Sequence, residues 1–140
     1  MSISDLIDDF ALLDDWEQRY RYVIELGRTL EPLSEAEHSK SNKVQGCTAQ
    51  VWLVSEARRE GGVTKVHFRG DSDAHIVSGL IAILLRLYSG LTPEDILAID
   101  ARSIFEKLGL NEHLSPQRSN GLYAMVGRIQ ADARAAQQTL

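Results

Sequence analysis

The spacing of hydrophobic residues changes character twice along the chain. Near the start, Leu6, Ile7, Phe10 and Leu13 recur at helical intervals, predicting an amphipathic helix over residues 5–13 with Ser4 as its N-cap. A second stripe, Tyr20, Val23, Ile24 and Gly27, predicts a helix over 16–30, opened by Asp14 and Asp15 and closed before Pro32. The two make a helical hairpin. Residues 34–42 are polar and without period, which reads as an exposed loop.

From Cys47 the period becomes two. Ala49, Val51 and Leu53 share one face with Cys47, and Thr48, Gln50 and Trp52 take the other, so a strand is expected to start at Cys47. Glu60-Gly61-Gly62 is a tight-turn signal, and residues 63–69 alternate again, giving an antiparallel hairpin. Helical spacing then returns. Gly70-Asp71-Ser72-Asp73 offers N-caps to a helix over 74–88 that is apolar on most sides and therefore central. Thr92-Pro93-Glu94-Asp95 starts a short helix through 99, another spans 103–108 and stops at Gly109, and Ser115-Pro116 opens a terminal helix carrying Leu122, Met125, Val126 and Ile129. Its tail after Asp132 is expected to fray. Helices, a small antiparallel sheet and further helices define an α+β fold, because the alternating units that build parallel sheets are absent.

Length and composition narrow the function. At 140 residues, near the roughly 150 of an average domain, the chain reads as a single domain over 1–140. A formal charge of -5, with 15 Lys and Arg scattered along the sequence, argues against nucleic-acid binding. The opening residues lack the basic and apolar regions of a secretory signal. The most apolar stretch, 76–88, is shorter than the roughly 20 residues of a membrane span and contains Ser78 and Arg86, so no membrane partner is expected and the protein should be cytoplasmic.

The one cysteine bounds the chemistry further. Cys47 cannot form an intrachain disulfide, find a resolving thiol in its own chain, or hold a metal centre by thiolates alone. On residues alone, a free cysteine is more often a small core hydrophobe than a nucleophile. Its place after Gly46, where the chain can turn and a partner's backbone can approach, allows the other reading. A reactive thiol needs nearby positive charge, and His67, Lys43, Arg69 and Arg118 are candidates by composition only. His38, His67, His75 and His113 lie in no diagnostic motif for a Cys-His hydrolase, and no close ligand pair favours metal. Trp16 and Trp52 read as packing residues.

Several segments carry a resemblance. Val44-Gln45-Gly46-Cys47-Thr48-Ala49-Gln50-Val51-Trp52 resembles the cysteine signature of the SufE family of cysteine desulfuration proteins. Similarity continues through Gly70-Asp71-Ser72-Asp73-Ala74, Ile76-Val77-Ser78-Gly79-Leu80, Leu91-Thr92-Pro93-Glu94-Asp95 and Leu114-Ser115-Pro116-Gln117-Arg118-Ser119-Asn120-Gly121-Leu122, and with Trp16-Glu17-Gln18-Arg19-Tyr20 it covers nearly the whole chain. The resemblance implies a fold shared with iron-sulfur scaffold proteins of the IscU type, with a small antiparallel sheet packed against several helices. It implies that Cys47 is the catalytic residue, accepting persulfide sulfur from a SufS/CsdA-like cysteine desulfurase, stimulating that enzyme and delivering sulfur to an iron-sulfur scaffold complex. The pyridoxal phosphate belongs to the desulfurase, so this chain needs no cofactor or metal of its own. Arg118 falls at a family-typical arginine expected near the thiolate or persulfide, and Asp73 lies in a segment expected to cap a mobile Cys47 loop. The alternative is a module that stimulates a desulfurase without carrying sulfur. A homodimer stays open.

Overall fold

A computed structural model describes residues 3–138, so Met1 and Ser2 of the opening stretch, and the last two residues of the tail, lie outside the described residues. The chain runs α1 (Ile3–Ala11), α2 (Trp16–Gly27), β1 (Val51–Glu60), β2 (Val63–Ser72), α3 (His75–Tyr88), α4 (Pro93–Ala98), α5 (Ala101–Leu108), α6 (Leu110–His113) and α7 (Pro116–Gln138). The α+β class expected from the sequence is what the chain adopts.

The apolar α3 is the centre, with Leu80, Ile81, Ile83, Leu84 and Tyr88 almost wholly buried. α2 crosses it at two glycines. A Cβ at Gly79 would stand 2.1 Å from the Val23 carbonyl oxygen, and one at Gly27 would stand 2.7 Å from the Gly79 nitrogen. Neither helix could approach so closely with a side chain at the crossing. On its other side α3 carries the hairpin. β1 and β2 pair antiparallel from Val51 opposite Ser72 to Glu60 opposite Val63. Val51, Leu53, Val66 and Phe68 face the core. The tight turn expected there is present, with positive φ at both Gly61 and Gly62.

Several boundaries differ from expectation. β1 starts at Val51 and not at Cys47, since the neighbouring arm supplies backbone partners only from there. Ser4 sits inside α1 and does not cap it. α2 stops at Gly27, three residues before the expected end. β2 continues to Ser72, and α5 starts at Ala101 behind Asp100, whose side chain accepts from Ser103 N–H. Thr92 caps α4 as expected, accepting from Asp95 N–H at 3.2 Å. The expected frayed tail is helical to Gln138, because Ala133 and Ala136 are buried where α7 runs beside α4.

Residues 34–42 form a loop without helix or strand, as expected, but the loop is fastened. Ser34 and Glu37 cap one another reciprocally, Glu37 pairs with Arg69 of β2, and His38 bonds Asp71 of the same strand. The segment is a strap fastened across the outer face of the sheet, with Trp52 edge-on to the His38 ring.

Candidate functional site

Cys47 belongs to a short loop, 45–50, closed by two backbone-paired arms. Val44 N–H donates to the Val51 carbonyl at 2.8 Å, and Leu53 N–H donates to the Asn42 carbonyl at 2.9 Å. Residues 42–44 thus run antiparallel beside the beginning of β1, and the loop spans the gap between them. Gly46 has φ +90°, a conformation that would strain any side chain, and a Cβ there would also crowd Ala124 of α7 at 3.3 Å. The glycine before the cysteine is therefore required by backbone shape and by the closeness of α7.

That turn brings the thiol to α7. The Cys47 S–H donates to the Gly121 carbonyl at 3.5 Å, and a Cβ built on Gly121 would lie in ordinary contact, 3.6 Å from Sγ. The far end of the loop is held by Asp73. Its carboxylate accepts from Gln50 N–H at 3.0 Å and from the Gln50 side-chain amide at 3.3 Å, while its own N–H donates to the Gln50 carbonyl. Asp73 was a possible helix cap in the sequence. Instead α3 begins after Ala74 without a side-chain cap, and the carboxylate is spent on the loop.

Beside the thiol lies a cavity of about 350 Å³. Val77, Leu80 and Met125 give it an apolar wall, while Ser115, Gln117 and Arg118 bring polar groups from the start of α7. Cys47 is half-buried, and burial pushes its thiol above the ordinary range. At rest this favours a protonated, sheltered sulfur over a thiolate.

Of the four cationic candidates, the fold brings only Arg118 to the cavity wall. Lys43 pairs through its backbone with Trp52, His67 bonds Glu60 at 2.6 Å, and Arg69 is engaged by Glu37. No histidine lines the cavity: His38 is on the strap, His113 stacks on Trp16 at 4.0 Å, and His75 opens α3. The hydrogen-bond reach between histidine and thiol that a Cys-His hydrolase requires is not present. Among the described residues no group of three or more His, Cys, Asp or Glu gathers as a metal set. Among them, too, no helix is long and apolar enough to cross a membrane. Sequence reasoning missed Gly121 as the thiol's partner and Met125, Val77 and Leu80 as cavity wall, since an apolar wall and an apolar core look alike in sequence.

The fold and site define a small α+β domain that shelters one thiol in a fastened loop beside a part-apolar cavity with an arginine on its wall. The family described as the Fe-S metabolism associated domain, SufE, matches residues 4–133. An uncharacterized SufE-like protein of Rhizobium meliloti is 53% identical over 132 residues, covering 94% of each chain. Another from Rhizobium etli is 54% identical over 133 residues, covering 95% of this chain and 90% of the relative. The solution structure of a hypothetical protein from Thermus thermophilus superposes with a TM-score of 0.74 at 24% identity over 99% of both chains, a likeness of fold. The chain belongs to the SufE family. Its membership ties it to iron-sulfur metabolism and to work alongside cysteine desulfurases.

Proposed function

We propose that Cys47 accepts sulfane sulfur from the persulfide of a cysteine desulfurase and holds it for delivery to an iron-sulfur scaffold complex. The observation that carries this reading is the setting of the chain's only cysteine: a loop fastened at both ends, with the thiol half-buried beside a cavity that has Arg118 on its wall.

The step needs one thiol and no oxidant. The Cys47 thiolate attacks the terminal sulfur of the desulfurase's Cys-S-SH, the old sulfur-sulfur bond breaks, and its electron pair leaves on the desulfurase's cysteine thiolate. Cys47 becomes the persulfide, the desulfurase regains a thiol, and the proton lost by Cys47 balances the one gained. The apolar wall keeps water and reductants from the product, and Arg118, on the same cavity wall, is the cation available to the persulfide anion. Because burial disfavours the thiolate at rest, attack belongs to a docked state in which the loop has turned the sulfur outward.

Incubation with a cognate desulfurase and L-cysteine, followed by intact-mass analysis, should add about 32 Da to Cys47, the increment of one persulfide sulfur. If Cys47→Ser gains the same mass, or wild type gains none, the reading fails. If Cys47→Ser still stimulates the desulfurase fully, the protein is an allosteric module and not a carrier.

A further inference from the structure

His38 is held on the strap by two acceptors at once. Its Nδ1 lies 2.9 Å from the Ser34 carbonyl oxygen and its Nε2 lies 2.8 Å from Oδ2 of Asp71. A carbonyl and a carboxylate only accept, so both contacts are hydrogen bonds only when both ring nitrogens carry a proton. The arrangement is built for imidazolium. Neutral histidine keeps one bond and turns a bare lone pair toward the other oxygen.

What His38 fastens is the arm that leads to the Cys47 loop. Asp71 stands opposite Trp52 across the hairpin, and the His38 ring meets the Trp52 ring edge-on with centroids 4.7 Å apart. Four residues on, Asn42 and then Val44 make the backbone bonds that close the loop's stem. The other end of the loop is tied to Asp73, two residues from Asp71. The end of β2 and the residue just beyond it therefore secure both arms of the loop, one of them through a histidine.

We propose that the protonated His38 is a positioning residue for Cys47: it clamps the incoming arm of the loop to β2, and loss of its proton takes away one of its two bonds, loosens that arm and exposes the thiol. The charged groups facing it are Asp71 from the sheet and Glu37 from the strap, with Trp52 covering the ring; both carboxylates favour the cation. The bond to Asp71 is the chief cause that raises its pKa, with partial burial opposing. The sign follows. A raised folded-state pKa means that both bonds are made below the ordinary histidine value and that one of them is lost as pH rises through the raised one. The consequence for sulfur transfer rests on the acceptor reading above; the clamp itself does not.

The test therefore uses the free protein without a desulfurase. Alkylation of Cys47 by iodoacetamide is followed from pH 6 to pH 9 in wild type and in His38→Gln, and the thiol's own titration cancels in the ratio of their rates. The ratio of variant to wild type should be about three- to tenfold at pH 6, as for the loss of one hydrogen bond to a charged group near the surface, and should fall to about one at pH 9. A ratio near one at pH 6, or one that does not change with pH, overturns the proposal. Should the variant not fold, nitrogen NMR of wild type decides. Both ring nitrogens of His38 should be protonated at pH 6, and protection of the amides of residues 43–51, corrected for intrinsic exchange, should fall with the same midpoint as the ring. A bare ring nitrogen at pH 6, or protection that does not follow the ring, overturns it. If the clamp is found and Cys47 takes up no sulfur, the acceptor reading falls and the clamp stands.

Discussion

Gly79→Ala sets two effects of one methyl group against each other, and the structure says which wins. In mid-helix, alanine is favoured over glycine by about 1 kcal/mol. At Gly79 the new Cβ would stand 2.1 Å from the Val23 carbonyl oxygen, 2.4 Å from Val23 Cγ1 and 2.6 Å from Val23 C. Two of those three atoms are backbone, so no rotamer change relieves the contact, and α2 must move away from α3 by about 1 Å or more to restore ordinary separation. Overpacking typically costs about 1–3 kcal/mol, and a backbone collision belongs at about 3 kcal/mol. The net expectation is a loss of about 2 kcal/mol, or about 6–8 °C in Tm for a domain of this size. Gly127→Ala is the matched control, because its Cβ would meet nothing within 4 Å in α7, and there the propensity gain of up to about 1 kcal/mol should appear unopposed. Urea and thermal unfolding of the two variants beside wild type measure both. A Gly79→Ala protein as stable as wild type would show that α2 and α3 are not in glycine-mediated contact, and the account of the central helix pair would be wrong.

Asp73→Ala removes both carboxylate bonds to Gln50, so Cys47 alkylation in the free protein should quicken about fivefold, the expectation for about 1 kcal/mol of loop fastening, with Tm lowered by no more than about 3–4 °C; an unchanged rate would mean that the loop is not latched there. Glu37 is held down to about 2, chiefly by its hydrogen bond from Arg69, and a depressed carboxyl contributes stability above its unfolded value that is lost as pH falls through the folded one. The stability advantage of wild type over Glu37→Gln, from urea unfolding, should therefore be constant above about pH 5 and shrink between about pH 4.5 and pH 2; an advantage that persists unchanged at pH 2 would contradict the pairing.

The class of fold was legible because its signals are local. Period two on either side of Gly61-Gly62 needs only the chain's own alternation, and Thr92 caps α4 through a residue three positions away. What failed depended on distant partners. Cys47 and Ala49 keep the parity of Val51 and Leu53, so the alternation ran smoothly into the loop; the backbone of residues 42–44, which decides where pairing starts, has no apolar pattern to announce it. The strap was legible as a polar loop but its fastening was not, since Glu37 and His38 find Arg69 and Asp71 more than thirty residues later. Alanines at 133 and 136 add too little hydrophobicity to mark a packed face, although both are buried. At the site, the resemblance singled out Cys47, Arg118 and Asp73. The fold brings Cys47 and Arg118 to one cavity and ties Asp73 to Gln50, but only the backbone shows that Gly121 carries the thiol's acceptor.

The placement of Cys47 carries a physical conflict that the proposed function resolves. A nucleophilic thiol is normally found where positive charge lowers its pKa, yet here burial raises it and the S–H donates to a carbonyl, which favours the protonated form. An enzyme acting alone would be poorly served by such a thiol. A carrier that meets its donor and its recipient on separate occasions is served well, because a persulfide exposed between encounters would be lost to any reductant, and a thiol ionised between encounters would be oxidised. The work of making the sulfur reactive then falls to docking, which has to break only a few loop contacts: the bond to Gly121, the Asp73 pair with Gln50, and the His38 bond to Asp71. Each is exposed or only part-buried, so each is weak enough for a protein interface to displace.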